Sequence, residues 1–149
     1  MNGKERTLIG VVRVRGIWGV KPKIRTTLEK LRLNRVNHCV IVDDRPQYLG
    51  MLNVCKDYVA YGPVSESVVR KLVAKRGRKS GNKRLTEDEV NQVVEAILNG
   101  DRKKLKKMGV KPVFRLRPPR KGYKSIKHAY PKGALGKWPS LDELLARMI

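Results

Sequence analysis

The chain has 149 residues, 40% of them hydrophobic, and a formal net charge of +22 from 35 basic against 13 acidic side chains. That length and apolar share suit one compact domain with appendages and exclude a disordered basic tail. Apolar stretches run only a few residues, far short of the roughly 20 that span a bilayer, and residues 1–7 do not read as a secretory leader, so a cytoplasmic protein with a polyanionic partner is expected.

Residues 8–14 are rich in β-branched side chains and read as a strand, with Arg13 inside it. A glycine-containing loop from Arg15 to Val20 follows. Pro22 sits where a first helical turn tolerates proline, and Ile24, Leu28 and Leu31 recur at helical spacing, predicting an amphipathic helix to about Leu33. His38 to Val42 is a compact apolar run ended by Asp43-Asp44-Arg45-Pro46. A second helix is predicted from Pro46 to about Lys56, carrying Leu49, Leu52 and Val54, and a third strand from Tyr58 to Tyr61 that stops at Gly62-Pro63. This alternation predicts an α+β core, one three-stranded sheet with two helices packed on a face. The strand order does not follow from the pattern.

After Pro63 the texture changes, which divides the chain into an α+β core over 1–63 and a basic, helical and loop-rich extension over 64–149 packed on that core. Ser65 can cap a helix with Val68, Val69, Leu72 and Val73 on one stripe, ending at Gly77. Residues 76–84 read as a loop without hydrophobic side chains, holding Arg76, Arg78, Lys79, Lys83 and Arg84. Thr86 and Glu89 fit a capping box ahead of an apolar face of Val90, Val93, Val94, Ile97 and Leu98, with Asn99-Gly100 ending the helix. A brief helix is predicted over 102–108, and a short strand over 113–117 that Pro118-Pro119 must end. Residues 120–139 show no periodicity, and 120–137 are expected to order on a partner. Ser140-Leu141-Asp142-Glu143 reads as another capping box, opening a final helix.

From Arg102 to Leu141 there are fourteen lysines and arginines and no aspartate or glutamate. Such a stretch repels itself unless a polyanion neutralises it. No catalytic constellation offsets this reading. Residues 77–80 lack the glycine spacing of a phosphate-binding loop. Asp43 and Asp44 offer only two adjacent carboxylates, which suit a turn better than magnesium. Cys39 and Cys55 read as small core hydrophobes in a reducing compartment, and neither they nor His38 and His128 have zinc-ligand spacing. No metal, cofactor or small-molecule substrate is implied.

Trp18, Trp138, Tyr123 and Tyr130 sit in loops among basic residues, where an aromatic face could stack on an unpaired base or plug its loop to the core. Arg115, Arg117, Arg120, Lys121, Lys124, Lys127 and Lys132 have no acidic neighbours, and flanking glycines and prolines permit close tracking of a phosphate backbone. Charge alone leaves a free-standing DNA or chromatin module open as the alternative to an RNA-binding protein.

The stretch His38-Cys39-Val40-Ile41-Val42-Asp43-Asp44-Arg45-Pro46-Gln47-Tyr48-Leu49-Gly50-Met51-Leu52 resembles the large-subunit ribosomal protein family numbered thirty, in the archaeal branch whose eukaryotic relatives are numbered seven. Residues 12–16 match its first strand, and residues 114–127 are similar to the branch's carboxy-terminal region. The resemblance implies a ferredoxin-like-related core and a non-enzymatic constituent of the large subunit. Its partners would be large-subunit rRNA, 5S rRNA and neighbouring ribosomal proteins. Residues 1–7 leave no room for the eukaryotic basic extension, which favours an archaeal source. Matching basic positions are Arg13, Arg15, Arg115, Arg117, Arg120 and Lys121. Lys21, Lys23 and Arg25 join them on physical grounds, because a helix start presents free amides and the positive dipole end to phosphate. Gly50 is expected to let helix and sheet approach, with Met51 filling the gap. The candidate RNA-binding set is completed by Trp18, Arg76, Arg78, Lys79, Lys83, Tyr123, Lys124, Lys127 and Lys132.

Overall fold

The computed structural model describes residues 8–16, 19–43, 45–79, 83–99, 107–110, 113–120, 130 and 133–149. The first three strands are β1 (Ile9–Arg13), β2 (His38–Val42) and β3 (Val59–Pro63), joined through helices α1 (Pro22–Lys30) and α2 (Pro46–Cys55). β1 lies between the other two and pairs antiparallel with both, Val11 opposite Val40 on one side and Tyr61 on the other. β2, α2 and β3 thus form a split βαβ unit with β1 inserted, the arrangement expected of a ferredoxin-like core.

The sheet is wider than its three predicted strands. Two short strands from the extension add one to each edge, giving the order β6-β2-β1-β3-β7. β6 (Phe114–Arg115) runs antiparallel to β2, and β7 (Gly136–Lys137) runs parallel to β3. Because β7 is two residues long and pairs some 75 positions upstream, no local pattern announces it. The loop read over 76–84 also contains structure, a two-stranded hairpin of β4 (Arg78–Lys79) and β5 (Lys83–Arg84).

Side chains alternate cleanly through the sheet. Ile9, Val11, Val40, Val42 and Val59 face one way and pack with Leu28, Leu31, Leu33, Leu52 and Cys55 from α1, α2 and their flanks. Val12, Val14, Cys39 and Ala60 face the other way. They meet helices α3 (Glu66–Arg76), α4 (Glu87–Leu98) and α5 (Asp142–Met148) of the extension, together with Phe114, Leu135 and Trp138. Burial on both faces is why the strands read as continuous apolar runs. Cys39 and Cys55 lie in the two opposite layers and are both unpaired thiols. Burial pushes the Cys39 thiol up to about 12 and that of Cys55 up to about 11, so both behave as core hydrophobes.

Helix boundaries follow local chemistry where the sequence carries it. The Thr86 hydroxyl accepts from the Glu89 amide while the Glu89 carboxylate accepts from the Thr86 amide, closing the capping box of α4. The Ser65 hydroxyl accepts from the Val68 amide and caps α3. α1 stops three residues before Leu33 because Arg32 takes a φ of 66°. The Arg32 amide then donates to the Glu29 carbonyl and the Leu33 amide to the Leu28 carbonyl, a Schellman closure in which arginine stands where glycine is usual. α5 begins one residue later than Ser140 suggested, with Leu141 as N-cap. Asp142 instead turns outward from its own helix and accepts from the Ser65 amide at 2.9 Å, tying the first turns of α3 and α5 together. The brief helix expected over 102–108 lies almost wholly outside the described residues, as do 121–129 and 131–132.

Three glycines separate close packing from open surface. A Cβ at Gly10 would sit 2.8 Å from Val64 Cγ1 and 3.2 Å from Leu141 Cδ2, so its absence lets α5 settle on β1. At Gly62 a Cβ would lie 2.6 Å from the Trp138 carbonyl oxygen, beside the contact that brings β7 onto β3. Gly50 does not fulfil the expected role: it is exposed on α2 and a Cβ there would meet nothing within 4 Å. Met51 does pack against the α1/α2 layer. Gly62→Ala is therefore expected to lower unfolding stability by about 1 to 3 kcal/mol through overpacking, whereas Gly50→Ala should raise it by about 0.8 to 1 kcal/mol through helix propensity. Urea unfolding of the two variants measures both, and opposite signs are the diagnostic result.

Candidate nucleic-acid interface

The first expected contact, Arg13, is withdrawn from the surface. It is 4% exposed at the end of β1. Its Nη1 donates to the Leu33 carbonyl at 2.7 Å, Nε to the Arg15 carbonyl at 3.0 Å and Nη2 to the Gly16 carbonyl at 3.3 Å. A guanidinium satisfied in this way closes the turn after α1 onto the strand and the loop that leaves it, and has no face left for phosphate. Arg15, next along, is half-buried with its guanidinium 5.1 Å above the Tyr58 ring. The sequence did not separate these roles, because a basic residue in an otherwise apolar strand reads as exposed.

Lys21, Lys23 and Arg25 all lie exposed around the start of α1. Lys21 is the N-cap without a side-chain cap bond, Pro22 follows it, and the first turn carries no acid. The positive dipole end and three cations thus share one patch. Lys79 is committed elsewhere: its Nζ lies 2.6 and 2.7 Å from the two carboxylate oxygens of Glu89 and fastens the β4/β5 hairpin to α4. That contact, followed by the Thr86 amide, holds the Glu89 carboxyl below its ordinary range.

The other basic residues gather along the β6 edge of the sheet. Arg115 is exposed and stands opposite His38 in the β2/β6 register. Two residues on, Arg117 is also exposed, with its amide donating to the Met148 carbonyl at 3.2 Å. The Arg120 amide donates to the Arg147 carbonyl, and Arg147 Nη1 returns a bond to the Arg120 carbonyl. The end of α5 thereby holds the 117–120 segment in place. Arg117, Arg78 and Arg84 lie close enough to Arg76 that burial first, then these three charges, pull its guanidinium below its ordinary value. Lys83 is exposed at the turn of the hairpin. Among the described residues no carboxylate pairs with Arg76, Arg78, Arg84, Arg115 or Arg117.

Arg35, Arg84 and His38 belong to this ridge and were absent from the expected set. Arg84 was visible only as one more loop cation, and nothing in the sequence set Arg35 apart. His38 is half-buried, and its Nδ1 has no hydrogen-bond partner among the described residues. Burial first, then the charges of Arg115, Arg35 and Arg13, hold its pKa below the ordinary 6.5. Trp138 is a plug and not a stacking surface. It is 7% exposed, its Nε1 donates to the Ala134 carbonyl at 2.8 Å, and its ring packs on Tyr130 with centroids 4.6 Å apart. Trp18, Lys121, Tyr123, Lys124, Lys127 and Lys132 lie outside the described residues.

Residues 9–59, from the start of β1 to the first residue of β3, match the family model described as Ribosomal protein L30p/L7e. The protein named large ribosomal subunit protein uL30 from Methanothrix thermoacetophila is 44% identical over 151 residues, covering 95% of this chain and 99% of its own length. Its namesake from Archaeoglobus fulgidus is 44% identical with the same coverage. The chain belongs to the L30p/L7e family of ribosomal proteins. A third relative of that name, from Methanosphaera stadtmanae, is 41% identical over 95% of this chain and 100% of its own. Similarity at this level runs through the extension as well as the L30p/L7e core, so the arginine-bearing β6 edge falls within it. Membership makes this a structural, non-enzymatic protein.

Two outcomes follow. Arg13→Ala should cost about 3 kcal/mol of stability, since it orphans buried carbonyls that accept from a charged donor; chemical denaturation measures it, and an unchanged midpoint would return Arg13 to the surface set. For His38 the depressed folded pKa means that the unfolded chain takes up the proton first. Stability is thus fully present above about pH 6.5 and is lost as pH falls toward the lowered folded value. His38→Gln should flatten the thermal midpoint between pH 6.5 and 5.

Proposed function

We propose that this protein binds large-subunit rRNA and 5S rRNA, holding their folded arrangement by phosphate neutralisation and shape recognition. As a ribosomal protein of the L30p/L7e family it is a structural constituent of the large ribosomal subunit in the cytoplasm. Neighbouring large-subunit proteins complete its partners. The single observation that carries the RNA reading is the row of arginines at the β6 edge, exposed or half-buried and unpaired by any carboxylate among the described residues.

Physical chemistry supports backbone contact over base reading. The ridge is built from arginines at a sheet edge, and the exposed start of α1 offers amides and cations, both of which suit phosphate oxygens. The one well-described loop tryptophan is buried, which removes a base-stacking platform. Neutralising phosphates releases counterions, so affinity must fall steeply with salt.

Binding of rRNA fragments by the full chain, measured across salt concentrations, tests this. The double variant Arg115→Gln, Arg117→Gln should bind more weakly and show a slope of log K against log salt shallower by about two. Salt-independent binding, or equal affinity for a DNA duplex of the same length, would refute the proposal.

A further inference from the structure

Three separate stretches of chain place three arginine charges around Arg76 at the end of α3: Arg78, which stands opposite Arg84 in the hairpin, Arg84 itself, and Arg117 just beyond β6. α3 and β6 pack against each other, and Arg117, two residues beyond Arg115, exerts its charge on Arg76 at the last turn of α3. Exposed like charges on flexible stems ordinarily swing apart, yet these are tethered. Arg78 Nη1 donates to the Lys75 and Gly77 carbonyls at 3.1 and 2.8 Å, leaving Nε and Nη2 for another acceptor. The hairpin cannot pivot away, because Lys79 is held by Glu89 and its backbone bridges to Val110. Arg117 is fixed through its amide to Met148. Arg76 Nε is buried with no hydrogen-bond partner among the described residues.

The carbonyl end of α3 accounts for part of this, since a helix C-terminus attracts cations. It explains Arg76 and Arg78. It does not explain why Arg84 and Arg117, from other elements, are both brought near Arg76 with no carboxylate pairing them among the described residues. Converging guanidinium forks match the several oxygens of a tetrahedral oxyanion, which can accept from more than one arginine at once.

We propose that Arg76, Arg78, Arg84 and Arg117 form a preorganised oxyanion site that seats a backbone phosphate of the bound RNA, and that the protein is held below its full stability until an oxyanion fills it. The identity of the phosphate as RNA rests on the rRNA-binding reading above; the existence of the site does not. Binding of an oxyanion would cancel the repulsion and lock the end of α3, the hairpin and the 117–120 segment to one another.

The test is thermal unfolding of the full chain with inorganic phosphate against chloride at equal ionic strength. The wild-type midpoint should rise by about 3 to 6 °C at tenfold the half-saturating phosphate concentration. Arg84→Gln and Arg117→Gln replace exposed side chains, so both should fold. Each should match or exceed the wild-type midpoint in chloride and lose most of the phosphate shift, while Lys71→Gln, on the exposed side of α3, keeps it. No phosphate-specific shift in the wild type, or an undiminished shift in both arginine variants, overturns the site. The same proteins titrated with rRNA fragments separate the two readings. Salt-dependent rRNA binding without a phosphate response sinks the site alone, and a phosphate response without rRNA binding sinks the rRNA reading alone.

Discussion

The central strand β1 is hydrogen-bonded along both edges and buried on both faces. A strand in that position needs apolar cover above and below, and each cover must come from somewhere in the chain. α1 and α2 supply one layer from within the first 60 residues. The other layer comes from residues beyond 63, with Val69, Leu72, Val93, Leu144 and Leu145 packed over Val12, Cys39 and Ala60. The extension is therefore the second half of the hydrophobic core, and the two glycines at 10 and 62 let it approach the sheet closely.

Double burial leaves little room for charge inside, and this shapes where the arginines go. One of them, Arg13, ends β1 in the interior and is tolerated because three backbone carbonyls receive its donors. Among the described residues no other arginine is buried. β6 is a two-residue strand at the sheet edge that contains Arg115 and is followed two residues on by Arg117, a composition that also discourages edge-to-edge association of copies. Placing positive charge there serves solubility and leaves a cationic ridge at the edge of the sheet.

Much of that ridge is held by backbone bonds and not by ion pairs. Arg117 and Arg120 are tethered through their amides to the last turn of α5, and the hairpin is pinned by the Lys79–Glu89 pair. Two carboxylates, Glu89 and Asp142, lock elements together, while among the described residues no carboxylate pairs with Arg76, Arg78, Arg84, Arg115 or Arg117. A chain with 35 basic residues and 13 acidic ones can do both only if its partner supplies the missing negative charge.

How much of this could be read beforehand depended on how local each determinant was. β2, α3 and the capping box of α4 were legible because their signals lie within a few residues. The end of α1 was not, since Arg32 adopts a left-handed conformation that only the packing of Leu33 and the bonds from Arg13 make worthwhile. Composition and motif determined the family, the α+β core and the polyanionic partner class, because charge, periodicity and capping are properties of short stretches. Only the tertiary structure decided that β7 joins the sheet, that Arg13 and Trp138 are internal, and that the charges of Arg84 and Arg117 both bear on Arg76. Those outcomes depend on which distant segments are brought near one another, and pairwise packing and Coulomb forces act on separation in space, which the order of residues does not specify.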